Sequence, residues 1–264
     1  MRLILGLVCA VAVAGVAVGV VTACGGNAFV AGAGDASITD ASADTAGGPS
    51  FCAIEGGSAT FCADFDESTS LGNWTAIDQN GATIAVVRDP TAPSQPNSLE
   101  SSVPSSVGTS VAQKGRVEKV FASASEIEIS FQVHIDQVAP KPNTGGTSFV
   151  LVQLGDNTVG ISANNLEVSY FEDVITDGGD TGLVVGNIIS TPIALGTWVP
   201  AALDIDLTNA TMTASVNGSS VGPIDITLEA NAGQNAQVYL GIQSRNVLGT
   251  VGAHYDNVLI NVTP

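Results

Sequence analysis

The chain has 264 residues, with 25 Asp and Glu against 7 Lys and Arg and a formal net charge of −18. So acidic a protein repels a phosphate backbone and an anionic lipid surface alike, which excludes nucleic-acid binding and charge-driven adsorption to membranes. With few Lys and Glu and many Val, Ile, Thr, Ser and Gly, the composition favours strands over helices.

The chain opens on Met1 and Arg2, then runs small and apolar from Leu3 to Ala23. A positive start before such a run is the pattern of a secretory signal, although the run is also long enough for a retained membrane span. It ends in Val21-Thr22-Ala23-Cys24, which resembles the bacterial lipobox: branched apolar, small, small, cysteine. The expectation is export, cleavage after residue 23 and lipidation of Cys24. Two or more acyl chains on that residue suffice for stable anchoring. Gly25 in place of Asp favours the outer membrane, by resemblance to the sorting rule of enteric bacteria. Cleavage removes Arg2 and takes the net charge to about −19.

Residues 24–50 are rich in Gly, Ala, Ser, Thr and Asp without an apolar period, and read as a flexible lipidated tether. The folded domain is expected over 51–264. Cys9 leaves with the signal and Cys24 takes lipid, so Cys52 and Cys62 remain in an oxidising compartment. A disulfide between them is the expectation. A metal site would want more thiolate or imidazole ligands, and a redox pair is more often spaced CxxC.

From Phe51 onward, short runs alternate apolar and polar residues between Gly, Asn, Asp and Pro signals. Strands are predicted at Thr60–Phe65, Trp74–Asp78, Thr83–Arg88, Ser98–Val103, Ser110–Phe121, Glu126–Ile135, Ser148–Leu154, Thr158–Ala163, Glu167–Phe171, Leu183–Ile189, Trp198–Asp206, Thr211–Val216, Ile224–Leu228, Gln237–Gln243 and Ala253–Val262. Asn217-Gly218 marks a hairpin. Leu203, Ile205 and Leu207 alternate with Asp204 and Asp206, as in a strand with one wet face. About fifteen strands cannot lie in one open antiparallel sheet, so two packed sheets or a barrel follow.

Phe61-Cys62-Ala63-Asp64-Phe65-Asp66 with Leu71 and Trp74 resembles the opening of concanavalin A-like (LamG/laminarinase-like) jelly rolls, notably those of myxobacterial lipoproteins. Gly196-Thr197-Trp198 before the 203–207 strand and the Val216-Asn217-Gly218 turn is similar to that family's later hairpin. Tyr255-Asp256-Asn257-Val258-Leu259-Ile260 is similar to its last strand. The resemblance spans 51–264. It implies an all-β, two-sheet antiparallel jelly-roll sandwich whose first and last strands are neighbours and whose concave face holds sugars. It also implies buried framework positions for Trp74 and Trp198, and a structural Ca²⁺ on Asp256. The other reading of Asp256 is an acid that hydrogen-bonds the neighbouring strand.

Glu126 and Glu128 share one strand face, but the third acid of the hydrolase pattern is replaced by Ser130 and Phe131. They read as solvated glutamates, and no catalytic residue is assigned. Tyr170, Asn164 and Asn165 are the candidate ligand-binding residues, and the loop Asp173–Asp180 is a weaker cation candidate. His134 and His254 fall on different strands with no nucleophile motif beside them. The expected function is a lipid-anchored envelope protein with a non-catalytic binding domain, with polysaccharide or surface glycan as partner. A diverged glycoside hydrolase or lyase, and a structural or adhesion protein, are the alternatives.

Overall fold

The computed structural model describes residues 50–66, 70–105, 111–138, 147–164, 167–175, 181–190, 194–228, 232–244 and 249–264. Cys24, Asn165, Asp177 and Asp180 lie outside them. The described chain starts with a one-turn helix, α1 (Phe51–Ile54), capped by the Ser50 hydroxyl, which accepts from the Ala53 N–H. The sequence showed no helical period here, because four residues are too few to show one. A disulfide joins Cys52 on this turn to Cys62, with 5.7 Å between their Cα atoms, as expected. Closing so short a loop is worth about 2.5–3 kcal/mol on the chain-entropy account.

Fifteen strands follow, in two antiparallel sheets. The eight-stranded sheet contains β1 (Phe61–Ala63), β3 (Thr83–Arg88), β4 (Asn97–Val103), β6 (Glu126–Gln137), β11 (Trp198–Asp206), β12 (Thr211–Val216), β13 (Ser219–Asp225) and β15 (Val251–Thr263). Its order is β13-β12-β11-β6-β15-β4-β3, with β1 paired to β15. The seven-stranded sheet contains β2 (Ala76–Asn80), β5 (Gln113–Ser123), β7 (Thr147–Leu154), β8 (Asn157–Asn164), β9 (Glu167–Ile175), β10 (Thr181–Ser190) and β14 (Gln234–Ser244). Its order is β10-β9-β8-β7-β14-β5-β2. This is the jelly-roll sandwich the sequence implied, and its first and last strands pair through Phe61↔Ile260.

Strict alternation builds the core. On β6, Ile127, Ile129, Phe131, Val133 and Ile135 are buried while the residues between them face out. On β11, Val199, Ala201, Leu203 and Ile205 do the same. The inner faces of both sheets share one apolar cluster. Trp74 is buried in it, edge-on to Phe61 at 4.7 Å between ring centroids.

Two expectations are corrected. The strand predicted at Ile224–Leu228 is β13, which runs Ser219–Asp225. Asn217 and Gly218 have φ of 51° and 76°, and two consecutive left-handed residues return the chain straight into pairing at Val216↔Ser219. The polar Ser219-Ser220 start lies on a sheet edge, where no apolar alternation is required. Trp198 is not framework core. It is the first residue of β11 and faces out, half-buried, its indole N–H donating to Thr91 Oγ1 at 3.3 Å.

The bulge in β15 positions Asp256. β4 pairs with Val251–Tyr255 and β1 with Val258–Ile260, both on the same side of β15. Between them the register to β6 shifts and Asn257 takes φ 51°. Asp256 fills the hand-over.

Candidate functional site

The outward residues of the seven-stranded sheet make a polar cluster around one cation. On β5, Val117 and Phe121 enter the core, so Lys114, Arg116 and Glu118 face out. On β14, Ala236, Val238, Leu240 and Ile242 enter it, so Gln237, Tyr239 and Gln243 face out. The register sets Tyr239 opposite Glu118, Gln243 opposite Lys114 and Asp78 of β2 opposite Arg116.

The Arg116 guanidinium lies over the Tyr239 ring, 3.7 Å from its centroid. Its Nε and a terminal nitrogen meet Asp78 Oδ2 at 2.8 and 2.7 Å, and its other terminal nitrogen donates to Gln243 Oε1 at 2.7 Å. Lys114 Nζ stands 3.3 Å from the same Asp78 oxygen. Burial alone would raise the Asp78 carboxyl, but the hydrogen bond and charge of Arg116, with Lys114 behind it, hold it below the ordinary carboxylate range. The Tyr239 phenol donates to Gln237 Oε1. Burial and the Glu118 charge push it up, against the pull of Arg116.

Beside this cluster Tyr239 joins Leu151 of β7 and Phe171 of β9 in a small apolar group separate from the main core. Gly160 makes it possible. It pairs with both Leu151 and Phe171, and a Cβ there would stand 2.9 Å from Phe171 Cε1. Without that side chain the ring can lie across β8.

Tyr170, expected to face the ligand, points the other way. Val168 and Tyr170 enter the main core, while Ser169 and Phe171 face out. The expectation missed the outward aromatic by one residue. Asn164 ends β8. Glu126 and Glu128 lie on the outer face of the eight-stranded sheet, opposite Asp206 and Asp204, and accept from Thr263 Oγ1 and Asn261 Nδ2. Burial and the charges of Glu128, Glu126 and Asp206 raise the Asp204 carboxyl.

Asp256 is fully buried. It accepts from the Ser94 N–H at 2.8 Å, the Ser94 hydroxyl at 2.9 Å and the Asn257 N–H at 2.8 Å. Burial pushes its carboxyl up to about 8, against these hydrogen bonds, and the Asp66 charge adds to the rise. Calcium requires six to eight oxygen ligands. Here the Ser94 and Asn257 donors take both Asp256 oxygens and tie the 89–96 loop to β15, while the Asp66 carboxylate and the buried Asn257 Oδ1 add acceptor oxygens beside them.

Sequence reasoning singled out none of Arg116, Tyr239, Gln243 or Asp78. Each strand's alternation was legible, but which strands become neighbours was not.

No family model matches the chain, and no curated protein does. Solved structures share its fold. Endo-β-1,4-glucuronan lyase from the fungus Trichoderma reesei superposes with a TM-score of 0.60 at 13% identity, over 78% of this chain and 96% of that one. The cellulose-induced protein Cip1 gives 0.53 at 13% identity, over 77% and 97%. Alginate lyase A1-II′, of polysaccharide lyase family 7, gives 0.50 at 11% identity, over 67% and 83%. At these identities the likeness establishes the fold.

Proposed function

We propose that this domain binds polysaccharide without cleaving it, through the outer face of the seven-stranded sheet around Arg116, and that lipid on Cys24 holds it at the outer membrane. The observation that carries the binding reading is the placement of Arg116 over Tyr239 with Gln243 in reach. A chain with 7 cations against 25 acids sets one of them among amides and a phenol on a sheet face. Planar cations, amides and aromatic rings are the groups that read sugar hydroxyls and carboxylates. The fold neighbours that act on glucuronan and alginate agree with such a partner.

The non-catalytic half rests on the same geometry. Elimination from a uronate needs a base to take the ring proton. Here burial and the Glu118 charge raise the Tyr239 phenol, so it is harder to ionise into that base.

The test is retention of the full-length protein on glucuronan, alginate and an uncharged β-glucan. At least one should retain the wild type, and Arg116→Gln should weaken binding by about tenfold or more, the worth of one charge-assisted hydrogen bond. Retention by none of them sinks the binding reading. Release of unsaturated, ultraviolet-absorbing ends would replace it with a lyase. Separately, an alkyne fatty acid fed to expressing cells should label the wild type and not Cys24→Ala. An unlabelled wild type would remove the anchor.

A further inference from the structure

The outer face of the eight-stranded sheet carries a group that polysaccharide binding does not use. His134 of β6 and His254 of β15 stand directly opposite each other in the antiparallel register. Asp136 follows two residues along β6, on the same face. Its carboxylate meets both rings, with Oδ1 2.9 Å from His134 Nδ1 and Oδ2 3.3 Å from His254 Nε2. The two ring centroids are 5.9 Å apart and the rings nearly perpendicular. Trp198 flanks His134 at 5.5 Å.

The far side of His254 is held by a hydrogen-bonded chain. Nδ1 is 2.9 Å from Ser98 Oγ, and that hydroxyl is 3.3 Å from Asp89 Oδ2. A chain that ends on a carboxylate runs one way: Nδ1–H donates to Ser98, and the Ser98 hydroxyl donates to Asp89. Nε2 is then the nitrogen turned to Asp136, and positive charge belongs between it and the carboxylate oxygen 3.3 Å away, either a proton on the ring or a metal ion in its place. On the other ring, buried His134 Nδ1 lies close to Asp136 yet makes no aligned hydrogen bond. A histidine whose second nitrogen is fixed by a hydroxyl and a carboxylate is how proteins orient a metal ligand.

We propose that His134, His254 and Asp136 bind a divalent transition-metal ion of the zinc class, with water completing its coordination. Two imidazoles and one carboxylate select zinc-like ions over calcium and magnesium. Asp89 and Ser98 are positioning residues. Among the described residues no group of three or more such side chains is already arranged to hold an ion. Asp136 fills the gap between the rings. Its side chain, 42% exposed, turns on its own bonds to admit the ion. Protons compete for the same nitrogens, so binding releases them.

The test is calorimetric titration of the full-length protein with zinc chloride at neutral pH, beside calcium and magnesium controls. One zinc ion should bind per chain, and calcium should not displace it. His134→Gln and His254→Gln should each weaken binding at least about tenfold, and Asp89→Asn should weaken it less, as expected for a group outside the ligand set. Undiminished binding in the double histidine variant would place zinc on surface acids such as Glu126 and Asp204 and overturn the site, as would no saturable binding. Where a variant fails to fold, ¹⁵N-histidine spectra of the wild type decide. Zinc must shift His254 Nε2 and His134 Nδ1, and unmoved signals overturn the proposal.

Discussion

Between about pH 4 and pH 8 the wild-type domain should lose several kcal/mol of stability, and Asp256→Asn should flatten that slope. A carboxyl raised to about 8 in the folded chain, against an ordinary value near 4 when unfolded, favours folding in its protonated form. The sign follows from proton counting. Over that window the folded state holds a proton that the unfolded state has released, so stability falls as pH rises and levels off above about 8. Four pH units at 1.36 kcal/mol each set a ceiling of about 5.5 kcal/mol, and partial relaxation around the acid brings the expectation to about 2–4 kcal/mol. Asn257 N–H donates to one Asp256 oxygen and Ser94 N–H to the other, so an amide keeps one of these bonds and turns its NH2 toward the other donor; the Asn variant starts less stable, and the comparison is of pH slopes. Urea denaturation of both proteins at pH 5 and pH 8.5 decides it. Equal slopes in wild type and variant would show that Asp256 ionises freely in the fold. A rise in midpoint on adding calcium, lost in Asp256→Asn, would reverse the reading of its surroundings.

What the sequence made legible was local. Period-two alternation located the strands, because each buries one face, and the Asn217-Gly218 turn followed from the only residues that accept two left-handed conformations in a row. The Cys52–Cys62 bond followed from counting cysteines. What escaped depends on neighbours far along the chain. His134 and His254 are 120 residues apart and become a facing pair only because β15 inserts beside β6. Arg116 meets Asp78 and Gln243 only because β2 and β14 flank β5. Tyr170 and Phe171 are adjacent aromatics in a strand, and sequence alone does not say which one faces the core. Trp198 opens a strand at the sheet's end, where a large aromatic suits either side.

Arg116→Met should cost about 2–4 kcal/mol, more than any other single change on the polar face. The guanidinium is nearly buried and makes three charge-assisted contacts besides its stacking on Tyr239. Removing it strands Asp78 and Gln243 beside an apolar side chain, and uncompensated buried partners account for most such losses. Lys114, at 3.3 Å, keeps Asp78 from being wholly unpaired, and the half-exposed carboxylate is partly screened by water, so the loss stays below that of a fully buried pair. Asp78→Asn should cost about 1–2 kcal/mol, since the cation keeps the Tyr239 face and Gln243. The double variant should cost less than the two singles together by at least about 1 kcal/mol. Strict additivity would mean that Arg116 acts through packing alone. The pair also has a pH signature opposite to that of Asp256. Asp78 is depressed below its ordinary range, so its contribution is complete above about pH 4 and vanishes as pH falls through its folded value. Wild-type stability should therefore pass through a maximum near pH 4–5, with Asp78→Asn shallowing an acid limb that Asp89 and Asp206 share and Asp256→Asn shallowing an alkaline one that Asp204 shares.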